Sequence, residues 1–205
     1  MTDSQDTGIL DGLRVLEIGL GVSAPYAALN FAKLGAEVIK LEPLEGDPSR
    51  THGPFPNGIK HKEKSGLFLA YNHGKKSICL DLDISQDRDK FESMLPHFDL
   101  VIENQNLGFF NDRRLGYKKI SSINPSLIWV SILPFGEVGP YSQYVADDLV
   151  LFHMSGNAHG MIGPVENPEV EPPIRAGGYQ ADLVAGLTAS TAAMVAMHQR
   201  LKTGK

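Results

Sequence analysis

Short apolar runs alternate along the chain with segments of helical spacing, and that alternation sets its class. Residues 13–18 (LRVLEI) form an apolar run that ends in a glycine turn, Gly19-Leu20-Gly21. Pro25 then opens a helically spaced segment to Leu34, stopped by Gly35. Proline suits a first helical turn, whose amides have no partner, and glycine suits the residue beyond a helix end. Residues 36–41 (AEVIKL) read as the next strand. Residues 42–65 are rich in Pro, Gly, Lys and His with no period, and predict a long surface loop of the functional or mobile kind. The alternation resumes with strands at 77–82, 100–103 and 127–133 and a helix at 86–95. A Gly- and Pro-rich loop covers 134–144, a short helix 147–155, and a further loop 156–178. Residues 182–201 give the clearest helix, with Leu183, Leu187, Ala193, Met194 and Met197 on its apolar face. Small residues beside them (Ala185, Gly186, Ala189, Ser190) imply a close neighbour. Strands alternating with helices predict an α/β fold, a Rossmann-like, mostly parallel sheet with helices on both faces.

Composition narrows the partners. A hydrophobic fraction of 42% and a charged fraction of 21% are those of a soluble globular protein. A formal net charge of -5 with no dominant basic patch argues against nucleic acid. No apolar stretch is long enough to span a bilayer, and the polar residues 1–8 lack the apolar core of a signal peptide, so a cytoplasmic protein with no membrane partner is expected. The single cysteine, Cys79, excludes an intrachain disulfide and reads as a small buried hydrophobe. The histidines show no metal-ligand spacing, so no metal is expected.

The chemistry-bearing residues leave alternatives open. Gly19-Leu20-Gly21 lies between a strand and a helix, the setting of a phosphate-binding turn, but Ala24 stands where a third glycine would complete the fingerprint. A plain tight turn is the other reading. Lys75 and Lys76 before a strand are either a solvated surface pair or point charges for phosphates, and Arg113 and Arg114 carry the same ambiguity. Asp182 at the start of the last helix is ordinarily an N-cap, and Asp147 and Asp148 would cap and begin the helix before it.

Several segments in collinear order resemble the family III CoA-transferases, which include formyl-CoA transferase, carnitine CoA-transferase and α-methylacyl-CoA racemase. They are Leu10-Asp11-Gly12-Leu13-Arg14-Val15-Leu16-Glu17; Leu34-Gly35-Ala36-Glu37-Val38-Ile39-Lys40-Leu41-Glu42 with Gly46-Asp47-Pro48-Ser49-Arg50; Asn72-His73-Gly74-Lys75-Lys76-Ser77; Asp99-Leu100-Val101-Ile102-Glu103-Asn104; Gly139-Pro140-Tyr141; and Ala181-Asp182 with Gly186-Leu187-Thr188-Ala189. The resemblance implies transfer of coenzyme A between an acyl-CoA thioester and a carboxylic acid, with Asp182 as the nucleophile that passes through anhydride and thioester intermediates. It implies that Val22, Ser23 and Ala24 approach the thioester end of CoA. Lys40, Lys75 and Lys76 would lie near its adenosine and phosphates. The family's arginine falls at Asp112, with Arg113 and Arg114 just after it. In the racemase branch a histidine falls where this chain has Asp147, so transfer is expected over racemisation, and a CoA-binding remnant without catalysis is the third reading. Family members are longer, so residues 1–205 are expected to be the N-terminal part of the large domain, without the second half and small domain. The family's interlocked homodimer, or a separately encoded second half, is the expected partner.

Overall fold

The computed structural model describes residues 8–204. Residues 1–7, most of the polar N-terminal stretch, and Lys205 lie outside the described residues. Strands β1 (Arg14–Ile18), β2 (Glu37–Glu42), β3 (Lys76–Cys79), β4 (Leu100–Glu103) and β5 (Ile128–Ser131) form one sheet in the order β3-β2-β1-β4-β5. Each neighbouring pair is parallel. The helices are α1 (Ser23–Lys33), α2 (Gly66–Asn72), α3 (Ser85–Met94), α4 (Phe109–Asp112), α5 (Tyr117–Ile123), α6 (Asp148–Met154), α7 (Asn157–Ile162) and α8 (Gln180–Thr203). The strand order reverses between β1 and β4, so the carboxyl ends of these strands open a crevice, the usual ligand position in such sheets.

The sheet is buried on both faces, which is why its central strands read as nearly unbroken apolar runs. Val15, Val38, Leu100 and Ile102 pack with Ala24, Ala27, Ala28 and Phe31 of α1 and Ala189 and Ala193 of α8. On the opposite face Leu16, Ile18, Leu41 and Val101 pack with Phe91 of α3, Ile120 of α5, and Leu95 and Phe98 beyond α3. Successive strand residues alternate between these layers. Glu17 therefore falls on the α1 side with Val15, and Lys40 with Val38. The register sets Glu17 directly beside Lys40. Among the described residues no helix is long and apolar enough to cross a membrane.

Five features differ from the sequence reading. First, α2, α4, α5 and α7 occupy stretches read as loop or left unassigned. They are short, and α5 buries only Ile120 fully, so no apolar period marks them. Second, residues 42–65 are tied down rather than loose: two 3-10 turns, Pro48–Thr51 and Pro56–Gly58, lie within them. Third, Cys79 is exposed, because β3 is an edge strand. Fourth, Asp182 is the third residue of α8, not its N-cap, since Tyr179 holds that place without a side-chain cap. Fifth, the buried stripe of α8 is Ala181, Gly186, Ala189, Ser190 and Ala193, while Leu187 and Met194 face outward. The small residues let α1 approach closely, and that gain outweighs burying the larger side chains from the other stripe.

The restraint on 42–65 centres on Glu42. Its carboxylate receives Arg50 Nε at 2.7 Å and Nη2 at 2.8 Å, the Asp47 amide at 2.9 Å and the Ser77 hydroxyl. The Arg50 guanidinium also lies 3.6 Å over the Phe68 ring. Burial alone would raise the Glu42 carboxyl, but these donors together bring it down from 4.5 to about 2. A depressed folded value stabilises fully above the ordinary value and is lost as pH falls towards 2. The contribution is roughly 2–3 kcal/mol. The difference in urea midpoint between the wild type and Glu42→Gln should be constant at neutral pH and shrink below about pH 4.5. A gap that ignores pH would show that Glu42 is not held in this way.

Candidate functional site

The turn that joins β1 to α1 is shaped from beneath by buried charge. Glu17 accepts Lys40 Nζ on Oε1 and Lys75 Nζ on Oε2, each at 2.6 Å, and Lys40 also lies 2.9 Å from Asp47 Oδ2. Two carboxylates and two ammoniums thus balance inside the fold, with at most 2% of any of these side chains exposed. Burial alone would lower the Lys40 ammonium, but Glu17 and Asp47 reverse that and raise it, so it stays charged. Lys75 comes down to about 8, through burial and then the charge of Lys40. The network reaches the turn directly. Lys40 Nζ donates to Gly19 O at 2.6 Å, and Asp47 Oδ1 accepts the Gly21 amide at 3.1 Å. Asn104 at the end of β4 clasps Leu20 from both sides, accepting its amide and donating to its carbonyl, each at 2.8 Å. The Leu20 and Gly21 amides are therefore engaged by protein groups. At these two amides the tight-turn reading of Gly19-Leu20-Gly21 is the one the contacts favour.

Asp182 lies where the first turns of α1 and α8 meet. The Ser23 hydroxyl accepts Asn104 Nδ2 at 3.0 Å and sits beside the Asp182 carboxyl, whose ionised form it favours. On the other side Asp148 Oδ1 accepts the Ala181 amide at 2.8 Å and the Asp182 amide at 3.2 Å. Asp148, the second residue of the segment 147–155 and the first of α6, thus caps α8 from another element. Asp147 caps its own helix, α6, through the Val150 amide at 3.0 Å. The Asp182 carboxyl is raised above its ordinary range, first by burial and then by the Asp148 charge, with Ser23 opposing. The helix N-terminus, which favours ionised carboxylates, is outweighed here.

The α1–α8 crossing fixes this meeting point. A Cβ on Gly186 would lie 2.5 Å from Ser23 O and 3.1 Å from the Tyr26 ring. The first clash is with backbone, so no rotamer change relieves it. Overpacking of this kind costs about 1–3 kcal/mol, against a helix-propensity gain of up to about 1 kcal/mol for Gly→Ala. Gly186→Ala should therefore lower the urea midpoint and part Ser23 from Asp182. A stability equal to or above wild type would show that the helices yield freely.

The other expected site residues separate into groups. Val22, Ser23 and Ala24 open α1 beside Asp182, with Ala24 fully buried. Lys40 and Lys75 are enclosed in the ion network, where contact with a phosphate would require that network to open. Lys76 turns towards the amino end of the sheet and pairs with Glu37 at 2.6 Å. Arg113 stacks over Phe109 at 3.8 Å, pairs with Asp83 at 3.0 Å and lines a cavity of about 380 Å³ with Ile18, Leu20, Leu41 and Leu80. Arg114 holds a left-handed backbone, φ 60°. The cavity lies at the carboxyl ends of β1 and β2, and Leu20 joins it to the turn that carries Ser23. A second cavity, about 640 Å³, is lined by Glu103, Phe110, Tyr117 and Trp129. Among the described residues no group of three or more His, Cys, Asp or Glu is placed to hold a metal. The sequence reading missed Glu17, Asp47 and Asn104 as shapers of the turn and Asp148 as partner of Asp182. A charge at matching positions of LRVLEI and AEVIKL was the available signal for the first.

The family model described as CoA-transferase family III matches residues 10–205. Succinyl-CoA:glutarate CoA-transferase of Mus musculus is 35% identical over 198 residues, 96% of this chain and 43% of that protein. Acetyl-CoA:oxalate CoA-transferase of Acetobacter aceti is 33% identical, covering 100% of this chain and 50% of that one. A crystal structure of a CAIB/BAIF family protein from Brucella suis is similar with a TM-score of 0.85 and 34% identity, over 97% of this chain and 51% of that one. The chain spans about half the length of the curated relatives it matches.

Proposed function

Since the chain belongs to CoA-transferase family III, we propose that it transfers coenzyme A between an acyl-CoA thioester and a carboxylic acid, with Asp182 as the nucleophile. The observation that carries this reading is the seat of Asp182: a half-buried carboxyl at the junction of two helix N-termini, raised in basicity and beside a hydroxyl donor. The Asp182 carboxylate attacks the thioester carbonyl, a mixed anhydride forms and CoA thiolate leaves. The thiolate attacks the aspartyl carbonyl, giving an aspartyl-CoA thioester and releasing the donor acid. The acceptor carboxylate attacks that thioester, forming a second anhydride and freeing the thiolate again. Attack of the thiolate on the acceptor's acyl carbonyl yields the new acyl-CoA and restores Asp182. Each step exchanges one activated acyl bond for another, so no external energy source enters.

The nucleotide end of CoA is assigned to the 380 Å³ cavity, with Arg113 available to a phosphate and the apolar strand ends to the base. From there the ligand passes Leu20 and Ser23 to reach Asp182. The reading places residues 1–205 as the N-terminal part of a large domain in a cytoplasmic enzyme. The remaining walls come from a second half, in an interlocked homodimer or from a separate chain. Exposed Val184, Leu187, Val195 and Leu201 on α8 support such a partner surface. Racemisation is disfavoured because Asp147, where the racemase histidine would fall, is engaged as the cap of α6, and His153 Nε2 lies 3.1 Å from Ile174 O.

The test is mass spectrometry of the purified chain after incubation with a panel of acyl-CoAs and trapping with hydroxylamine. A modification on Asp182 supports transfer. CoA binding without any modification, in a folded chain supplied with its second half, would make it a binding module.

A further inference from the structure

Asp148 has two carboxylate oxygens with different surroundings. Oδ1 accepts the amides of Ala181 and Asp182 at 2.8 and 3.2 Å. Oδ2 is buried and has no hydrogen-bond partner among the described residues, in a residue only 7% exposed. A buried acceptor without a donor is costly, and native folds rarely leave one without a reason. Capping α8 needs a single acceptor, which asparagine or serine would supply without a second charge. The surplus is therefore the charge itself, held still by two amides and set against Asp182.

We propose that Asp148 is the positioning residue for Asp182, fixing the first turn of α8 through one oxygen and presenting the other as a fixed negative charge beside the nucleophile. The proposal rests on Asp182 being that nucleophile. Like charge close by disfavours ionisation and makes the carboxylate a stronger base. The rise in the Asp182 carboxyl, with the Asp148 charge as its second cause after burial, agrees with this. The other groups at this corner are Ser23 and Tyr26 of α1, Tyr71 of α2 and Tyr179 at the head of α8, with Arg175 6.0 Å over the Tyr179 ring. Tyr71 is itself pushed up, by burial first and then by Tyr26, Tyr179 and Asp182. No cation is among the groups that shift the Asp182 carboxyl, so the Asp148 charge is not offset there.

The experiment is a carboxyl-carbon NMR titration of the chain labelled with ¹³C-aspartate, with the Asp182 resonance identified by its loss in Asp182→Asn. In Asp148→Asn, which keeps the capping acceptor and removes the charge, the Asp182 midpoint moves down. In Asp147→Asn, which removes a charge one residue away, it stays. Asp148→Ser answers the same question should the amide variant not fold. A midpoint unchanged by both Asp148 variants overturns the proposal. A companion measurement follows acyl-adduct formation on Asp182. Asp148→Ala, which also frees two amides, slows it by on the order of 100-fold. An Asp148→Ala rate equal to wild type also overturns the proposal. If the wild type supplied with its second half forms no adduct, the transfer reading fails, while the titration still decides the part played by Asp148.

Discussion

Glu17→Gln should destabilise the protein by about 3–5 kcal/mol, the scale set by removing one partner of a buried ion pair. Glutamine keeps the shape and an acceptor but cancels the charge shared by Lys40 and Lys75, each 2.6 Å away. Two ammoniums then face Asp47 alone in a region closed to water. A loss of this size is a large part of the roughly 5–15 kcal/mol that holds an ordinary domain. Urea unfolding checks it, with tryptophan fluorescence from Trp129 as the signal. The variant Lys75→Met separates charge from packing, because in the Glu17→Gln background it removes the surplus cation and should recover part of the loss. A Glu17→Gln penalty under about 1 kcal/mol, the range of exposed pairs, would show that water reaches this network and that it does not shape the turn.

Asp182→Asn should abolish acyl capture, with a loss on the order of 10⁶-fold where turnover is measurable, the scale found when a covalent nucleophile is removed. Asparagine retains the volume and the helix position, so the fold should survive. Its urea midpoint is expected to stay near wild type or rise, because the variant relieves a carboxyl raised by burial and by Asp148. Trapped mass on the wild type and none on the variant fixes the nucleophile. Equal modification of both would move the covalent chemistry elsewhere in the chain.

Much of the fold was legible because the sheet is parallel and buried. Strand 100–103 was read with its observed bounds, and the others shifted by one to three residues. Gly35 was read as a helix stop and holds φ +100° just after α1. The short helices escaped because a helix of four to seven residues buries too few side chains to show a period. Apolar size points to the wrong face of α8, whereas Gly186, Ala189 and Ala193 are set by the nearness of α1. At the site, Asp182 was reached through the family's motif rather than from its setting, since an aspartate near a helix start is commonplace. Asp148 reads correctly as the start of α6, but its contact with α8 leaves no mark in the sequence. Its partners, the amides of Ala181 and Asp182, are more than thirty residues away in sequence, and only the folded chain brings them together.

The clasp around Gly19-Leu20-Gly21 limits how the protein can diversify. Lys40, Asp47 and Asn104 hold that turn while sitting in the interior that folds the domain. A change there alters foldability and ligand fit together, so such substitutions are purged before their effect on preference can be selected. Leu44 and Glu45, exposed on the cavity wall and outside both the ion network and the apolar core, carry no such double duty. A mutant library aimed at new ligands gains most of its viable members from those wall positions, and a record of which variants survive would map the divide between frame and palette.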